Sequence, residues 1–274
     1  MKRVFCSDNF QVNALGQGTW HMGMDASRAA SEADALRFGI DLGMTLIDTA
    51  EMYHDAETVV GKAIAGRRDE VTLVSKVLPG NASYKGTIDA CERSLQKLQT
   101  EAIDWYLLHW PGSHPLGETL EAFSTLKRQG KIRAFGVSNF DYDDMATARG
   151  LDFGEDIVTN QILYNLECRG VEWDLIPWCR QNKIPVMAYS PLNQARLNFA
   201  NLKSVAARHN ATPAQIALAW LLHQDQIIVI PKSGNRARVE ENSKAAIIEL
   251  DATDLSELDR FFPPPDHAMP LQML

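Results

Sequence analysis

Seven short apolar runs in this chain each stop abruptly at a polar residue. MTLID (Met44–Asp48) ends in Asp48, VTLVSK (Val71–Lys76) in Lys76 and IDWYLLH (Ile103–His109) in His109. IRAFGVS (Ile132–Ser138) ends in Ser138 beside Asn139, and IVTNQ (Ile157–Gln161) ends in Gln161. IPVMAYS (Ile184–Ser190) ends in Ser190, and IIVIPK (Ile227–Lys232) ends in Lys232. Taken singly, each has a bland reading. Asp48-Thr49 could be a helix cap, and His109 before Trp110-Pro111 could be a satisfied core histidine. Together with Tyr53 they allow chemistry. A tyrosine is a poor acid at neutral pH, and burial makes it poorer. An ammonium within about 4 Å, at an effective dielectric near 20, favours the phenolate by about 4 kcal/mol, so Lys76 is expected to draw Tyr53 toward neutral pH. Asp48 would keep Lys76 charged and placed, and His109 could donate a hydrogen bond to a carbonyl oxygen and orient it. The set contains no nucleophile and no metal-ligand pattern such as HExxH. An acid with an oxyanion donor suits hydride delivery from a bound cofactor.

The elements that must position these residues are legible in the same runs. They are continuously apolar rather than alternating, as expected of parallel strands buried on both faces. With an earlier run at Val12–Leu15 leading into Gly16–Thr19, they make eight. Between them lie helical patterns. In Ser83–Gln99 the apolar positions Ile88, Cys91, Leu95 and Leu98 make one stripe. Leu116–Gln129 repeats this with Leu116, Leu120, Phe123 and Leu126, followed by Gly130 where a helix-ending glycine belongs. Strand alternating with helix eight times gives a closed α/β, (β/α)8 TIM barrel. A doubly wound open sheet is the alternative, but nothing marks a reversal of strand order. Arg3–Val12, with Ser7-Asp8-Asn9 as its turn, reads as an N-terminal β-hairpin plugging the barrel's bottom. Carboxyl ends of barrel strands form the face where active sites are built, so the polar residues converge on one rim.

Composition agrees. A chain of 274 residues suits one barrel domain, residues 1–274, since such barrels run to about 250 residues. Hydrophobic residues at 45% and a net charge of −8 without charge blocks suit a globular protein and disfavour nucleic acid or an anionic membrane as partner. Cys6, Cys91, Cys168 and Cys179 are scattered, with no pairing or ligand spacing, so no metal is expected. MKRVFCSDNF lacks an apolar signal core, and no run of about 18 apolar residues occurs; a cytoplasmic location and a monomer are expected. Gly16-Gln17-Gly18-Thr19-Trp20-His21 begins like a dinucleotide-binding GxGxxG but lacks the third glycine and the acidic residue that should follow.

The chain resembles the aldo-keto reductase family over its whole length, and within it the small bacterial members that reduce methylglyoxal and related aldehydes. LIDTAEMY (Leu46–Tyr53) is similar to the family signature, and LVSKV and LLHWP carry Lys76 and His109 at matching positions. GVSNF (Gly136–Phe140), the Gln161 segment, AYSPL (Ala188–Leu192) and IPKSGNRARVEEN (Ile230–Asn242) follow in family order. The resemblance implies a catalytic set of Asp48, Tyr53, Lys76 and His109, and NADPH/NADP+ as cofactor. It implies that Ser138, Asn139 and Gln161 hold the nicotinamide carboxamide, with Asp48 alongside, and that Tyr189 stacks on the ring. Gly18, Thr19 and Trp20 would line the nicotinamide end, and Ser190, Pro191, Leu192 and Ile230 would also touch the cofactor. Lys232, Ser233 and Arg238 match positions holding the 2′-phosphate, within a loop that includes Gly234 and Asn235; Glu241 and Asn242 match positions near the adenine. Two cations and a hydroxyl make a plausible monoester clamp. Arg236 reads as part of a solvated helix face.

The resemblance therefore implies reduction of small aldehydes and ketones, methylglyoxal-like or aromatic, with Tyr53 as general acid. Trp20, Tyr53, His109 and Trp110 would line the substrate pocket. Short loops after His109 and a brief Pro-rich tail after Phe262 imply a pocket without the walls that hold a steroid. A Schiff-base aldolase acting through Lys76 is the rival enzyme, though Asp48 should keep that lysine protonated. A cofactor-binding subunit without turnover is the non-catalytic rival. Within the family, His109 favours turnover, and carbonyl over C=C reduction.

Overall fold

The apolar runs become strands, and strands adjacent in sequence become neighbours in space. The structure, a computed structural model, describes residues 1–7 and 10–274. After a hairpin of β1 (Arg3–Ser7) and β2 (Phe10–Asn13), one sheet runs through β3 (Gln17–Gly18), β4 (Leu46–Asp48), β5 (Thr72–Val77) and β6 (Ile103–Leu108). It continues through β7 (Ile132–Ser138), β8 (Ile157–Leu163), β9 (Val186–Tyr189) and β10 (Ile227–Val229), every pairing parallel and in chain order. The barrel closes where the first and last strands meet. Leu15 bridges Val229 and Gly18 bridges Lys232, with Gly16 N–H donating to the Val229 carbonyl at 2.8 Å. That closure removes the doubly wound alternative.

The first barrel strand differs from the expected Val12–Leu15. Val12 and Asn13 belong to the hairpin, where Val12 pairs with Val4, and the barrel strand begins only around Leu15. The Gly16-Gln17-Gly18 stretch serves this closure. A Cβ at Gly16 would lie 2.7 Å from the Leu46 carbonyl oxygen, and one at Gly18 would lie 2.9 Å from that of Ile230. The glycines let β3 wedge between its neighbours. Val4 and Val12 are buried, and the Phe10 ring meets Trp105 edge-on at 6.0 Å near the start of β6, so the hairpin does cover the amino ends of the strands. Asp8 and Asn9 of the expected turn fall outside the described residues.

Helices pack outside the barrel: α1 (Ala29–Asp41), α2 (Ala56–Ile64), α3 (Tyr84–Leu98), α4 (Leu116–Arg128) and α5 (Tyr142–Arg149). They continue as α6 (Leu175–Gln181), α7 (Lys203–Arg208), α8 (Pro213–His223), α9 (Arg236–Lys244) and α10 (Ala252–Phe261). Ser83 caps α3, its hydroxyl accepting from Gly86 N–H, and Gly130 ends α4 with φ +74° and its N–H on the Lys127 carbonyl. Register sets the site's height. Gly18 pairs with Asp48 and Ser138 with Gln161, which places these strand ends at one rim. No helix among the described residues is long and apolar enough to cross a membrane.

Candidate active site

Asp48 closes β4, Lys76 sits near the end of β5, and His109 follows β6. The Lys76 ammonium donates to both oxygens of Asp48, at 2.7 and 2.9 Å, and to the Thr49 carbonyl at 2.8 Å. Gln161 Nε2 also donates to Asp48 Oδ1, at 2.7 Å. Lys76 is wholly buried behind Asp48 and is not part of the cleft surface. Tyr53 lies in the turn after β4, its N–H on the Ala50 carbonyl, with its ring centre 4.9 Å from the Lys76 ammonium. His109 stands edge-on to Tyr53 at 5.5 Å between ring centres.

The electrostatics of this cluster follow from its burial. Burial pushes the Asp48 carboxyl up and the Lys76 ammonium down, and their mutual attraction opposes both shifts. The expectation that Lys76 draws Tyr53 toward neutrality is not met. Burial pushes the phenol well above its ordinary value, and the negative charge of Asp48 adds to that. Lys76 spends its hydrogen bonds on Asp48 and Thr49, so the phenol keeps its proton in the resting protein. Burial and the Lys76 charge lower His109 to about 2. Its imidazole is therefore neutral at physiological pH, with one N–H to donate, and its Nδ1 is buried with no partner among the described residues.

A cleft of about 690 Å³ runs along this rim. It is lined by Asp48, Tyr53, His109 and Trp110, by Ser138, Asn139, Gln161 and Tyr189, and by Lys232, Ser233, Arg238, Glu241 and Asn242. Gly18, Thr19, Trp20, Ser190, Pro191, Leu192 and Ile230 also face it. Asn139 adopts φ +58° at the end of β7, a region asparagine tolerates. Its amide donates to the His109 carbonyl at 3.1 Å and its oxygen accepts from the Tyr189 hydroxyl at 2.9 Å. Asn139 thus couples three strand ends. Beyond β10, Asn235 caps α9, its side chain accepting from Arg238 N–H at 3.2 Å. The first turn of α9 therefore adds partial positive charge to Lys232 and Arg238.

Residues 14–262 match the aldo/keto reductase family. The chain belongs to that family. It is 48% identical to methylglyoxal reductase YeaE of Escherichia coli (strain K12), over all of this chain and 99% of that protein. It is 34% identical to glyoxal reductase of Bacillus subtilis (strain 168), over 82% of each. It superposes on an aldo/keto reductase from Klebsiella pneumoniae in complex with NADP and acetate, with a TM-score of 0.94, 47% identity and 96% of each chain covered.

Two of the cofactor-binding residues expected of this aldo/keto reductase do not face the cleft. Gly234 and Asn235 shape the loop instead, Asn235 as the helix cap and Gly234 packed against Glu32. Arg236 is more than a solvated residue. It binds Asp34 at 3.0 Å and lies 4.2 Å over the Phe38 ring, tying α9 to α1. Other cleft residues escaped sequence reasoning: Met52, His21, Gln194, Ala214 and the tail residues Met273 and Leu274. Asn193, Gln194 and Ala195 are all left-handed, with φ of 47°, 53° and 64°, a turn that no glycine announces. The segment after α10 returns to the rim, where Met273 and Leu274 supply a wall.

Proposed function

We propose that this protein is an NADPH-dependent reductase that converts small aldehydes and ketones, methylglyoxal-like or aromatic, to alcohols with Tyr53 as the proton donor. The observation carrying this reading is that one cleft joins the Tyr53–His109 pair to the cations Lys232 and Arg238. Its volume, about 690 Å³, lies within the usual range for ligand and cofactor sites. The donor set fits the cofactor. Ser138, Asn139 and Gln161 offer amide and hydroxyl partners, Tyr189 offers a ring face, and Lys232, Ser233 and Arg238 offer charge and a hydroxyl for a phosphate. The relative named methylglyoxal reductase and the Klebsiella structure holding NADP point the same way. The reading includes one barrel domain over residues 1–274, acting as a monomer in the cytoplasm.

NADPH, when bound, supplies the hydride. His109, neutral, donates its N–H to the carbonyl oxygen and orients it. It is too weak an acid in that form to give up the proton itself. Tyr53 enters the reaction protonated and transfers its phenolic hydrogen as negative charge builds on that oxygen. Lys76 then lies 4.9 Å from the ring that becomes a phenolate, and its charge acts on the product of the transfer. The aldolase alternative is disfavoured because Lys76 is enclosed by three hydrogen bonds away from the cleft surface.

Loss of NADPH absorbance on adding methylglyoxal or a nitrobenzaldehyde tests the activity, and Tyr53→Phe tests the acid. The variant should lose carbonyl reduction and keep its NADPH affinity, because only the transition state uses the hydroxyl. No NADPH consumption with any carbonyl would sink the activity, and a variant with a tenth of normal kcat would remove Tyr53 from its role.

A further inference from the structure

Glu32, in the first turn of α1, is only 2% exposed. Its Oε2 accepts from the Gly23 N–H at 2.9 Å, in the loop after β3. Its other face lies against the loop that follows β10. A Cβ placed on Gly234 would meet Glu32 Cγ at 3.0 Å and Oε1 at 3.4 Å. Glu32 is thus a buried acid packed behind the Lys232–Gly234 turn, close behind the cleft but not on its surface. Burial is the largest influence on the Lys232 ammonium and pushes it down; among the nearby charges Glu32 comes first and attracts it, while Arg28 and Arg238 repel it. A buried negative charge is therefore set beside the cations Lys232, Arg28 and Arg238.

We propose that Glu32 sets how strongly the cofactor's 2′-phosphate is held, its buried carboxylate weakening the grip of Lys232 and so limiting discrimination between NADPH and NADH. The proposal rests on the NADPH reading given above. The physical reason is additive. A phosphate brought to Lys232 gains from that ammonium and from Arg238, and loses to a carboxylate that cannot be screened by water because it is buried. A ligand without the 2′-phosphate presents no charge there and does not feel Glu32. Gly234 is part of the device, since any side chain at that position would press on the Glu32 stem.

The test is equilibrium binding to the intact protein, followed by quenching of tryptophan fluorescence, as Trp20 and Trp110 line the cleft. Glu32→Gln keeps the shape and an oxygen for the Gly23 N–H. It should tighten NADPH and adenosine 2′,5′-bisphosphate about five- to tenfold, while NADH and AMP stay within about twofold. Glu32→Asp keeps the charge but withdraws it by one methylene, and should tighten the 2′-phosphorylated ligands by a smaller factor. Unchanged or weaker NADPH binding in both variants overturns the proposal, as does equal tightening of NADPH and NADH. Lys232→Ala separates the two readings. If it leaves NADPH affinity where it was, the phosphate clamp itself is wrong and the role of Glu32 falls with it.

Discussion

The ammonium of Lys76 lies 4.9 Å from the centre of the Tyr53 ring, yet its hydrogen bonds go to Asp48 and Thr49. It can therefore act on the phenol only through space. Asp48 does two jobs at once, anchoring Lys76 and accepting from Gln161. Lys76→Met leaves Asp48 buried without its partner, which should cost about 3–5 kcal/mol of stability. The double variant Asp48→Asn/Lys76→Met should recover most of that stability and none of the rate. Urea unfolding and kcat measured on the three proteins check this. Recovery of turnover in the double variant would mean that the pair is scaffolding only.

His109 gives a pH prediction whose sign follows from burial. Its folded-state value, about 2, lies below the ordinary 6.5 of the unfolded chain. Between those values the unfolded state binds the extra proton. The fold therefore keeps its full stability above about pH 6.5 and loses it as pH falls, by up to about 1.4 kcal/mol per pH unit from this group. His109→Gln should flatten that decline. Urea midpoints of both proteins between pH 7 and 5 provide the measurement, and parallel curves would show that His109 is not buried as a neutral base. For the same reason, no limb of the rate profile near pH 6–7 should belong to His109.

The cation-lined end of the cleft predicts a cofactor asymmetry. Lys232→Ala/Arg238→Ala removes two charge-assisted contacts worth about 1.5–3 kcal/mol each, and only NADPH has a phosphate to lose them. NADPH affinity should fall steeply while NADH binding moves little. Equal weakening of both cofactors in a titration would refute the clamp.

Substrate choice follows from the walls near Tyr53. Trp20 and Met52 are exposed at the cleft, and Trp110 and Met273 also line it, so the surface offered is flat and apolar. Such a site uses little remote binding energy, so KM for methylglyoxal should be about 1 mM or above. A panel of kcat/KM values decides the matter. A steroid ketone outperforming methylglyoxal and a nitrobenzaldehyde by tenfold would contradict a pocket built for small carbonyls.

The strand and helix elements were legible because their signals are local. A continuously apolar run cut short by Asp48, His109 or Gln161 marks a strand end wherever the chain later goes. Ser83 and Gly130 mark helix ends through bonds made within a few residues. The chemical types needed at the rim, an acid, a lysine, a histidine and amides, were visible for the same reason. The first barrel strand was misplaced because an apolar run does not tell a hairpin strand from a barrel strand; partner choice does.

What only the tertiary structure decided were quantities set by burial and by distances between residues far apart in the chain. Gln161 meets the Asp48 carboxylate across 113 residues, and that contact, with the desolvation around it, sets the local field. The pattern of strand ends puts Lys76 and Tyr53 at one rim and so suggests a lowered phenol pKa. The folded protein encloses Lys76 behind Asp48 and raises it instead. Glu32 reads as an ordinary acid in a first helical turn until the fold presses it against Gly234 behind Lys232. A residue's type is written in the sequence, but its charge state and reach depend on the water that the fold removes.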